Sequence, residues 1–183
     1  MEENITAGEL MIPISKYPIV SINDTLLDAV EEMDNIQIDS GGRKALPRVV
    51  LVFDHSNELV GVIRRRDIFR GLEPGFLVKH TSSYKRKWFD VHIDPNLSEL
   101  TGDATFESIK RNSKKKVKEI MLPIAQTIDY DDHITKIIST MVEYNISMIP
   151  VTKNDRVVGV VRSADALHFI AHSVLNVQDH FRL

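Results

Sequence analysis

Two arginine–aspartate pairs with the same spacing are the residues of this 183-residue chain best suited to chemistry. Arg64 precedes Asp67 by three positions, and Arg162 precedes Asp165 by three. A carboxylate accepts hydrogen bonds from two neighbouring hydroxyls, and a guanidinium binds a phosphate through two parallel hydrogen bonds. Residues of these types can therefore contact a hydroxylated or an anionic small molecule. Each Asp is also predicted to stand just before a helix, where an acid caps the helix without any ligand.

The two pairs belong to a sequence unit that occurs twice. Asp24 and Asp132 lie 108 positions apart, whereas Gly61 and Gly159 lie 98 apart. The copies therefore share a register that about ten extra residues interrupt in the first copy. Because a repeated unit buries its apolar face against its twin, we expect a pseudo-twofold fold with sites between the copies.

Each copy is predicted to form a strand, a helix, two strands and a closing helix. Apolar residues recur at helical spacing from Leu26 to Met33 and from Ile134 to Met141. We expect acids to cap both helices at Asp24 and at Asp131 or Asp132. Runs rich in β-branched residues predict paired strands at 49–53, 59–63, 148–151 and 157–161. The closing helices are predicted at 68–72 and 164–175.

Two segments interrupt the repeat. The extra residues of the first copy fall at about 34–46 and predict a surface loop. Residues 74–116 form a connector, and residues 79–118 hold ten Lys and Arg against five acids. Such a segment suits phosphate, nucleic acid or an acidic partner, or is a solvated face. Its aromatic residues predict that part of it folds back on the body or on another subunit: Tyr84, Trp88, Phe89 and Phe106.

Composition and motifs exclude several classes of site. The absence of cysteine rules out disulfides, thiol nucleophiles and thiolate zinc sites. His168 and His172 are four apart on a predicted helix, but a third ligand is missing, so we expect no metal. No catalytic triad order, P-loop or glycine-rich dinucleotide motif occurs, so we expect no enzyme. An acidic start and the lack of a long apolar run predict a cytoplasmic protein without a membrane span.

The ordered set of motifs resembles the cystathionine β-synthase (CBS) domain. The motifs are Met-x-Pro, a capped amphipathic helix, Ile149-Pro150-Val151, the strand Val158 to Val161, and an Asp six residues after its Gly. The resemblance covers residues 9–73 and 117–175, which leaves the 74–116 connector and a 176–183 tail. Two such domains in tandem resemble a CBS pair, or Bateman module. This implies an α/β (α+β) fold of two small mixed sheets with flanking helices.

The resemblance implies a regulatory ligand in the cleft between the repeats. CBS pairs commonly bind AMP, ADP, ATP or S-adenosylmethionine there, and none is a required cofactor. Asp67 and Asp165 would then be ribose ligands. Family members usually have Thr or Ser three residues after the Gly, whereas this chain has Arg64 and Arg162. This difference favours ligands that are rich in phosphate, or it equally indicates that one or both clefts bind no ligand.

Both copies supply predicted nucleotide contacts, and the second copy keeps more of the family pattern. It has Thr127 and Pro150 at positions that we align with Ile19 and Val52 of the first copy. The contacts predicted in the second copy are Thr127, Met148, Ile149, Pro150, Val151, Arg162, Ser163 and Asp165. Those predicted in the first copy are Ile19, Val20, Leu51, Val52, Arg64 and Asp67.

These observations predict a stand-alone regulatory module that signals by conformational change to an unknown effector protein. The resemblance also implies a homodimer, and we expect the connector to report the change. The alternative is a dimerisation or scaffold module that binds no ligand and uses its basic connector for protein or nucleic-acid contact. Nucleic acid is the less favoured partner, because no known reading module surrounds the lysine and arginine runs.

Overall fold

The computed structural model describes residues 5–36, 38–40, 43–45, 47–74 and 102–180. Its helices are α1 (Ala7–Leu10), α2 (Leu26–Asn35), α3 (Arg65–Leu72), α4 (Gly102–Asn112), α5 (Ile134–Glu143) and α6 (Ser163–His180). Its strands are β1 (Ile12–Pro13), β2 (Ile19–Ser21), β3 (Ile38–Ser40), β4 (Arg43–Ala45), β5 (Val49–Phe53), β6 (Leu59–Arg64), β7 (Leu122–Pro123), β8 (Ile128–Asp129), β9 (Met148–Lys153) and β10 (Arg156–Arg162). The element order of the predicted repeat is therefore present in both halves.

Two four-stranded sheets form the body, and each contains one strand from the other repeat. The first sheet has the order β2-β5-β6-β7 and the second has the order β1-β10-β9-β8. Strand β7 belongs to the second repeat and pairs antiparallel with β6, while β1 of the first repeat pairs antiparallel with β10. The repeats thus exchange their first strands, and neither sheet is complete without the other repeat.

A glycine lies opposite the proline of each exchanged strand. Gly61 lies opposite Pro123 and Gly159 lies opposite Pro13. A Cβ on Gly61 would lie 2.8 Å from the carbonyl oxygen of the neighbouring Leu122, a distance that real Cβ atoms do not adopt. The second glycine has the same constraint, at 2.7 Å from a carbonyl oxygen of β1. Because backbone gives way less easily than a side chain, these crossings require glycine.

The first long helix of each repeat begins at a different kind of cap. At α2, the Thr25 hydroxyl accepts the Asp28 N–H, and the Asp28 carboxylate accepts the Thr25 N–H at 2.7 Å. Thr25 and Asp28 therefore form a capping box. At α5 the cap is His133, whose ring nitrogen accepts the N–H of Thr135.

The prediction that Asp24 and Asp131 or Asp132 cap these helices is wrong. The Asp24 carboxylate accepts the N–H of Ser21 at 2.7 Å, and the Asp132 carboxylate accepts the N–H of Asp129 at 2.8 Å. Both acids therefore close the turn that leads from strand to helix. The residue after each of them is the cap, because only from there does a side chain reach the free N–H groups of the first helical turn.

Each sheet packs one face against its own helices and the other face towards the second sheet. The helix-facing core of the first repeat contains Val20, Leu26, Ala29, Met33, Val50, Val52, Ile63, Ile68 and Val117. That of the second contains Ala7, Ile128, Ile137, Met141, Ile149, Val151 and Val161. A third cluster joins the repeats and is built around Tyr17, Val49, Leu51 and Val160. Alternate strand residues enter different clusters because successive side chains point to opposite faces of a sheet.

The last part of the connector folds back on the first repeat, as predicted. The N–H of Leu26 donates to the Lys115 carbonyl at 2.8 Å, and the Asn112 side chain donates to the Glu73 carbonyl at 2.9 Å. Phe106 on α4 is nevertheless 66% exposed, so this aromatic side chain is not the one that anchors the connector. The other three aromatic residues of that prediction lie outside the described residues.

The segment at 34–46, predicted as a loop, contains regular structure. Helix α2 continues to Asn35, and β3 and β4 form an antiparallel hairpin in which Ile38 pairs with Ala45. Neither strand pairs with the two larger sheets in the described part of the chain. The extra residues therefore extend the first repeat without altering its sheet.

The glycine crossings generate a stability prediction. Gly61→Ala and Gly159→Ala should each lower the free energy of unfolding by about 1–3 kcal/mol, because the added methyl group overlaps backbone that cannot move freely. Urea unfolding followed by circular dichroism measures the change. Ser139→Ala, on an exposed position of α5, is the control and should shift the value by less than about 0.5 kcal/mol. Two unchanged glycine variants would contradict the tight crossing.

Candidate functional site

A cleft of about 170 Å³ opens between the two repeats. It is called the Arg64 cleft below, after the one cationic side chain among its lining residues. Its walls are mainly apolar and come from both repeats. The lining residues are Val49, Val62, Arg64, Leu122, Pro123, Ile124, Ala125, Gln126, Asn145, Ile146, Ser147, Met148 and Pro150.

The exchanged strand and one helix end place these residues together. Strand β7 pairs with β6 and thereby brings the following residues, 124–126, beside Arg64. At the end of α5, Asn145 adopts a left-handed conformation with φ of 50°, which turns the chain towards β9. Asn is among the residues that tolerate this conformation best. The wall at 145–148 is therefore set by a helix-terminating turn.

Arg64 and Asp67 form a two-point ion pair at the edge of this cleft. The Arg64 Nε and Nη2 atoms donate to the two Asp67 carboxylate oxygens at 2.7 and 2.9 Å. The Asp67 side chain is 2% exposed, whereas that of Arg64 is 39% exposed. Planar, bidentate pairing holds the guanidinium in one orientation with part of it open to solvent.

The ion pair shifts the pKa of both groups. The hydrogen bond from the Arg64 side chain holds the pKa of Asp67 below its ordinary value of 3.8, against the opposing effect of burial. The same hydrogen bond raises the pKa of Arg64. Both groups are therefore charged at neutral pH, and Asp67 acts as the fixed counter-ion of the guanidinium.

Arg162 and Asp165 repeat this arrangement in the second repeat. The Arg162 Nε atom donates to the Asp165 carboxylate at 2.7 Å, and the hydrogen bond with Asp165 raises the pKa of Arg162. The Arg162 side chain is only 20% exposed, about half the value for Arg64. The two pairs are thus alike in chemistry but differ in their access to solvent.

The predicted position of the two acids just before a helix needs correction. Helix α3 begins at Arg65 and α6 at Ser163, so that Asp67 and Asp165 lie inside the first helical turn. Each carboxylate also accepts the backbone N–H of the arginine before the helix, at 3.2 Å for Asp67 and 3.3 Å for Asp165. This supports a role at the helix N-terminus. Ribose binding stays a prediction, and a ribose would have to share a carboxylate that already binds arginine.

Pro150 removes one backbone hydrogen bond that ties a loop to the sheet in the first repeat. In the first repeat the Leu51 N–H donates to the Pro18 carbonyl at 2.9 Å, which ties the chain before β2 to the sheet. The strand register makes Leu51, not Val52, the counterpart of Pro150, so the predicted alignment was one residue out. Because proline has no N–H, the equivalent bond cannot form beside Thr127.

The predicted contacts divide into those that reach the Arg64 cleft and those that do not. Met148, Pro150 and Arg64 line it. Four others have side chains in the helix-facing cores instead: Val20, Val52, Ile149 and Val151. This follows from strand alternation, which the prediction did not apply.

The remaining predicted contacts lie near the cleft or on the other side of the interface. Thr127 follows the lining residue Gln126 and is exposed, Ile19 is 40% exposed, and Leu51 belongs to the cluster between the repeats. Arg162, Asp165 and the helix residue Ser163 do not line the cleft. The predicted second-repeat set named Arg162, whereas Arg64 is the cationic side chain that lines this cleft together with Met148 and Pro150. Nucleotide contact by either arginine stays a prediction.

The sequence reasoning missed several residues of the site. Val49 and Val62 of the first repeat, the loop 124–126 and the turn 145–147 all line the Arg64 cleft. The repeated Met-x-Pro motif could have indicated the loop 124–126, because this loop directly follows the motif in the second repeat. Which strand receives that motif is a long-range property, and the sequence pattern does not reveal it.

The cluster between the repeats contains a buried tyrosine whose hydroxyl makes no hydrogen bond to the described residues. Tyr17 is 3% exposed, and its hydroxyl has no hydrogen-bond partner within the described residues. Burial raises the pKa of Tyr17 to about 12; the charge of Arg162 lowers this pKa and that of Asp165 raises it, each by less than burial does. The phenol is therefore protonated at neutral pH and lies near the second ion pair.

Other candidate sites from the sequence have structural roles or lack ligands. His168 and His172 contact each other edge to face with ring centroids 4.3 Å apart, and no group of three metal-binding side chains occurs among the described residues. The Lys115 ammonium donates to the Gly71 carbonyl and that of Lys116 to the Asn23 carbonyl. No helix within the described ranges is long and apolar enough to cross a membrane.

The Arg64–Asp67 pair predicts a specific dependence of stability on pH. Because the folded pKa of Asp67 is lowered, the ion pair stabilises the fold fully above the unfolded pKa near 3.8, and this contribution is lost as the pH falls through the folded value. Asp67→Asn should lower the free energy of unfolding by about 1–2 kcal/mol at neutral pH, a modest value because Arg64 is partly solvated.

Urea unfolding at about pH 7 and about pH 3 tests this prediction. The difference in stability between wild type and Asp67→Asn should shrink at the lower pH. Asp131→Asn changes an exposed carboxylate and is the control, with a small effect at either pH. A difference that stays constant would assign the effect of Asp67 to packing instead of charge.

Comparison with known proteins places this architecture in a family. A family model described as CBS domain matches residues 7–74 and 117–172. No curated protein sequence matches the chain. Among solved structures, the CBS domain of a CBS domain-containing membrane protein from Sphaerobacter thermophilus is 21% identical. The match covers 90% of this chain and 87% of that chain, with a TM-score of 0.62.

Two further similar structures were solved with nucleotides. CBSX2 in complex with AMP is 15% identical, with a TM-score of 0.56 over 94% of this chain and 98% of that chain. The cytosolic domain of the Mg²⁺ channel MgtE in complex with ATP is 20% identical, with a TM-score of 0.57 over 91% of this chain and 49% of that chain. The expected mixed fold is thereby confirmed. Since the two matched segments cover more than half of its residues, this chain belongs to the CBS-domain family, as a tandem pair.

Proposed function

We propose that this CBS pair is a regulatory module that binds an adenine nucleotide in the Arg64 cleft. The observation that carries the proposal is the combination of apolar walls from both repeats with one partly exposed guanidinium. Ligand sites are typically apolar clefts with a few well-placed polar groups. CBS-pair proteins are generally regulatory modules and not enzymes, which agrees with the absence of catalytic motifs.

The cleft suits a planar base with an anionic group at its edge. Val49, Val62 and Met148 offer apolar surface for a purine, and Arg64 offers donors for a phosphate. The volume of about 170 Å³ is below the roughly 300–1,000 Å³ of typical ligand pockets. A whole nucleotide therefore requires the cleft to widen or its phosphates to extend into solvent beside Arg64.

Binding at this place gives a route to signalling. Because the two repeats supply opposite walls, a ligand that fits one arrangement of them better stabilises that arrangement by its difference in affinity. A change in the angle between the repeats alters the surface that a partner meets. The effector protein, a homodimer, an adenosyl ligand without phosphate and a cytoplasmic location stay predictions.

Two neighbours support the choice of ligand class. One similar structure is described as a complex with AMP and another as a complex with ATP. Their low identity shows the fold alone, so the argument for this chain rests on its own residues. Arg64 replaces the usual hydroxyl residue, and it favours AMP, ADP and ATP over S-adenosylmethionine, which has no phosphate.

The alternative function is an interaction module without a ligand. It is favoured by one observation, an open groove beside α3 and α4. The groove is lined by Phe69, Leu72 and Ile109 together with Arg66 and Arg70, and Phe69 is 70% exposed. Phe106, on α4, is 66% exposed. Exposed apolar surface of this kind often marks a partner site. Indifference of the protein to nucleotides would favour this function.

Thermal unfolding with a ligand panel tests the proposed function. AMP, ADP and ATP should raise the melting temperature in a concentration-dependent way, since a ligand at 100 times its Kd stabilises the folded state by about 2.7 kcal/mol. Adenosine should act more weakly, because it brings no phosphate to Arg64. A flat response to the whole panel would contradict nucleotide binding.

An arginine substitution locates the binding in the cleft. Arg64→Ala should weaken AMP binding by about 10- to 100-fold in titration calorimetry, the effect of losing a charge-assisted hydrogen bond. Arg66→Ala removes the same charge from an exposed α3 position outside the cleft and is the matched control. Equal affinity losses in both variants would indicate general electrostatic attraction and not a site.

A further inference from the structure

Tyr17 occupies the position in the first repeat that Ala125 occupies in the second. Strands β1 and β7 make equivalent exchanged pairs, and β2 and β8 make equivalent parallel pairs. Val20 pairs with Val52 as Ile128 pairs with Val151, so Val20 and Ile128 are equivalent. The residues three positions before them are Tyr17 and Ala125. Because Ala125 lines the Arg64 cleft, Tyr17 stands where a twin cleft would open.

The residues clustered with Tyr17 are the counterparts of the walls of the Arg64 cleft. The pseudo-twofold relation exchanges Val49 with Met148 and Val62 with Val160. The same relation exchanges β1 with β7, because β1 pairs with β10 as β7 pairs with β6. The cluster that contains Tyr17 includes four such counterparts: Ile12, Ile14, Leu51 and Val160. It also includes Val49, Val62 and Met148, which line the Arg64 cleft as well and so are shared by both places. This place is therefore built like the Arg64 cleft but is filled by a side chain of the protein.

The state of the tyrosine hydroxyl points to a ligand-like role for its ring. A buried hydroxyl normally has a hydrogen-bond partner, and leaving one without a partner destabilises the folded state. The Tyr17 hydroxyl has none within the described residues although its side chain is almost fully buried. The contacts of Tyr17 within the cluster are therefore packing contacts of its ring, and its hydroxyl makes no hydrogen bond to the described residues.

Solvent access to the two arginines agrees with this arrangement, whereas their partner carboxylates differ in the opposite sense, with Asp67 2% and Asp165 19% exposed. Arg64 is 39% exposed beside the open cleft, whereas Arg162, in the same pairing with its Asp, is 20% exposed near Tyr17. The first repeat also has two more residues than the second between the Pro of the Met-x-Pro motif and the equivalent strand residues Val20 and Ile128. This extra length carries Tyr17 into the cluster.

We propose that Tyr17 is an internal occupant of a second ligand cleft of the same class, so that the wild-type chain binds one nucleotide and truncation of Tyr17 creates a second site beside Arg162. The inference deepens the proposed function and rests on it for the identity of the ligand. The vacated space takes a flat aromatic group, because a cavity with apolar walls binds aromatic molecules of matching size. The charges of Arg162 and Asp165 act on the Tyr17 hydroxyl, so this ion pair lies close to the vacated space.

Titration calorimetry with AMP tests the number of sites. Wild type should bind one AMP per chain and Tyr17→Ala, which installs the residue of the second repeat, should bind two. Tyr17→Phe keeps the ring and is the matched control, with one AMP per chain and undiminished stability because the lost hydroxyl has no partner. Adding p-cresol, an analogue of the deleted side chain, should return Tyr17→Ala to one AMP by filling the vacated place.

The possible outcomes separate this inference from the proposed function. Two AMP molecules on wild type, or one on a folded Tyr17→Ala, would overturn the inference and leave nucleotide binding in the Arg64 cleft intact. No AMP on wild type but one on Tyr17→Ala would support the occupied cleft while refuting the proposed function. Circular dichroism checks folding, and Tyr17→Leu, a smaller apolar truncation, replaces Tyr17→Ala if that variant does not fold.

Discussion

The exchange of first strands between the repeats is the constraint on which the rest of the structure depends. Each four-stranded sheet is completed by a two-residue strand from the other half of the chain. Glycine is needed at both crossings, because the entering backbone lies too close for any Cβ. Two sheets that share strands in this way must stay side by side, and the apolar cluster between them is a consequence of that arrangement. The inter-repeat interface is therefore part of each repeat's own fold and not a contact between independent domains.

The same exchange determines the composition of the Arg64 cleft. The loop after β7 belongs to the second repeat but meets an arginine of the first. That arginine is held by Asp67, whose carboxylate also accepts a backbone N–H at the start of α3. A ligand that contacts Arg64 is thus connected through one ion pair to a helix terminus. This provides a short physical path from the cleft to the outer helices, where the exposed apolar side chain of Phe69 lies.

Pseudo-twofold symmetry does not make the two clefts equal. Pro150 lacks the N–H that its counterpart Leu51 uses to tie down the preceding loop, and two additional residues bring Tyr17 into the first repeat's cluster. Both differences are local, yet together they leave one cleft open and one filled. Repeats that retain a common fold can in this way acquire different functions from small changes in the loops.

Local patterns in the sequence determined the elements and their order. The stripes of α2 and α5, the capping box at Thr25 and the turns between paired strands depend on residues within a few positions of each other. The sequence also drew attention to the two arginines and two aspartates, but the ion pair that joins each Arg to its Asp was not predicted. Tertiary structure alone decided which strand completes which sheet, which arginine faces the cleft, and that Tyr17 fills its twin. These depend on pairings between residues far apart in sequence, whose energies come from packing and burial that no local pattern records.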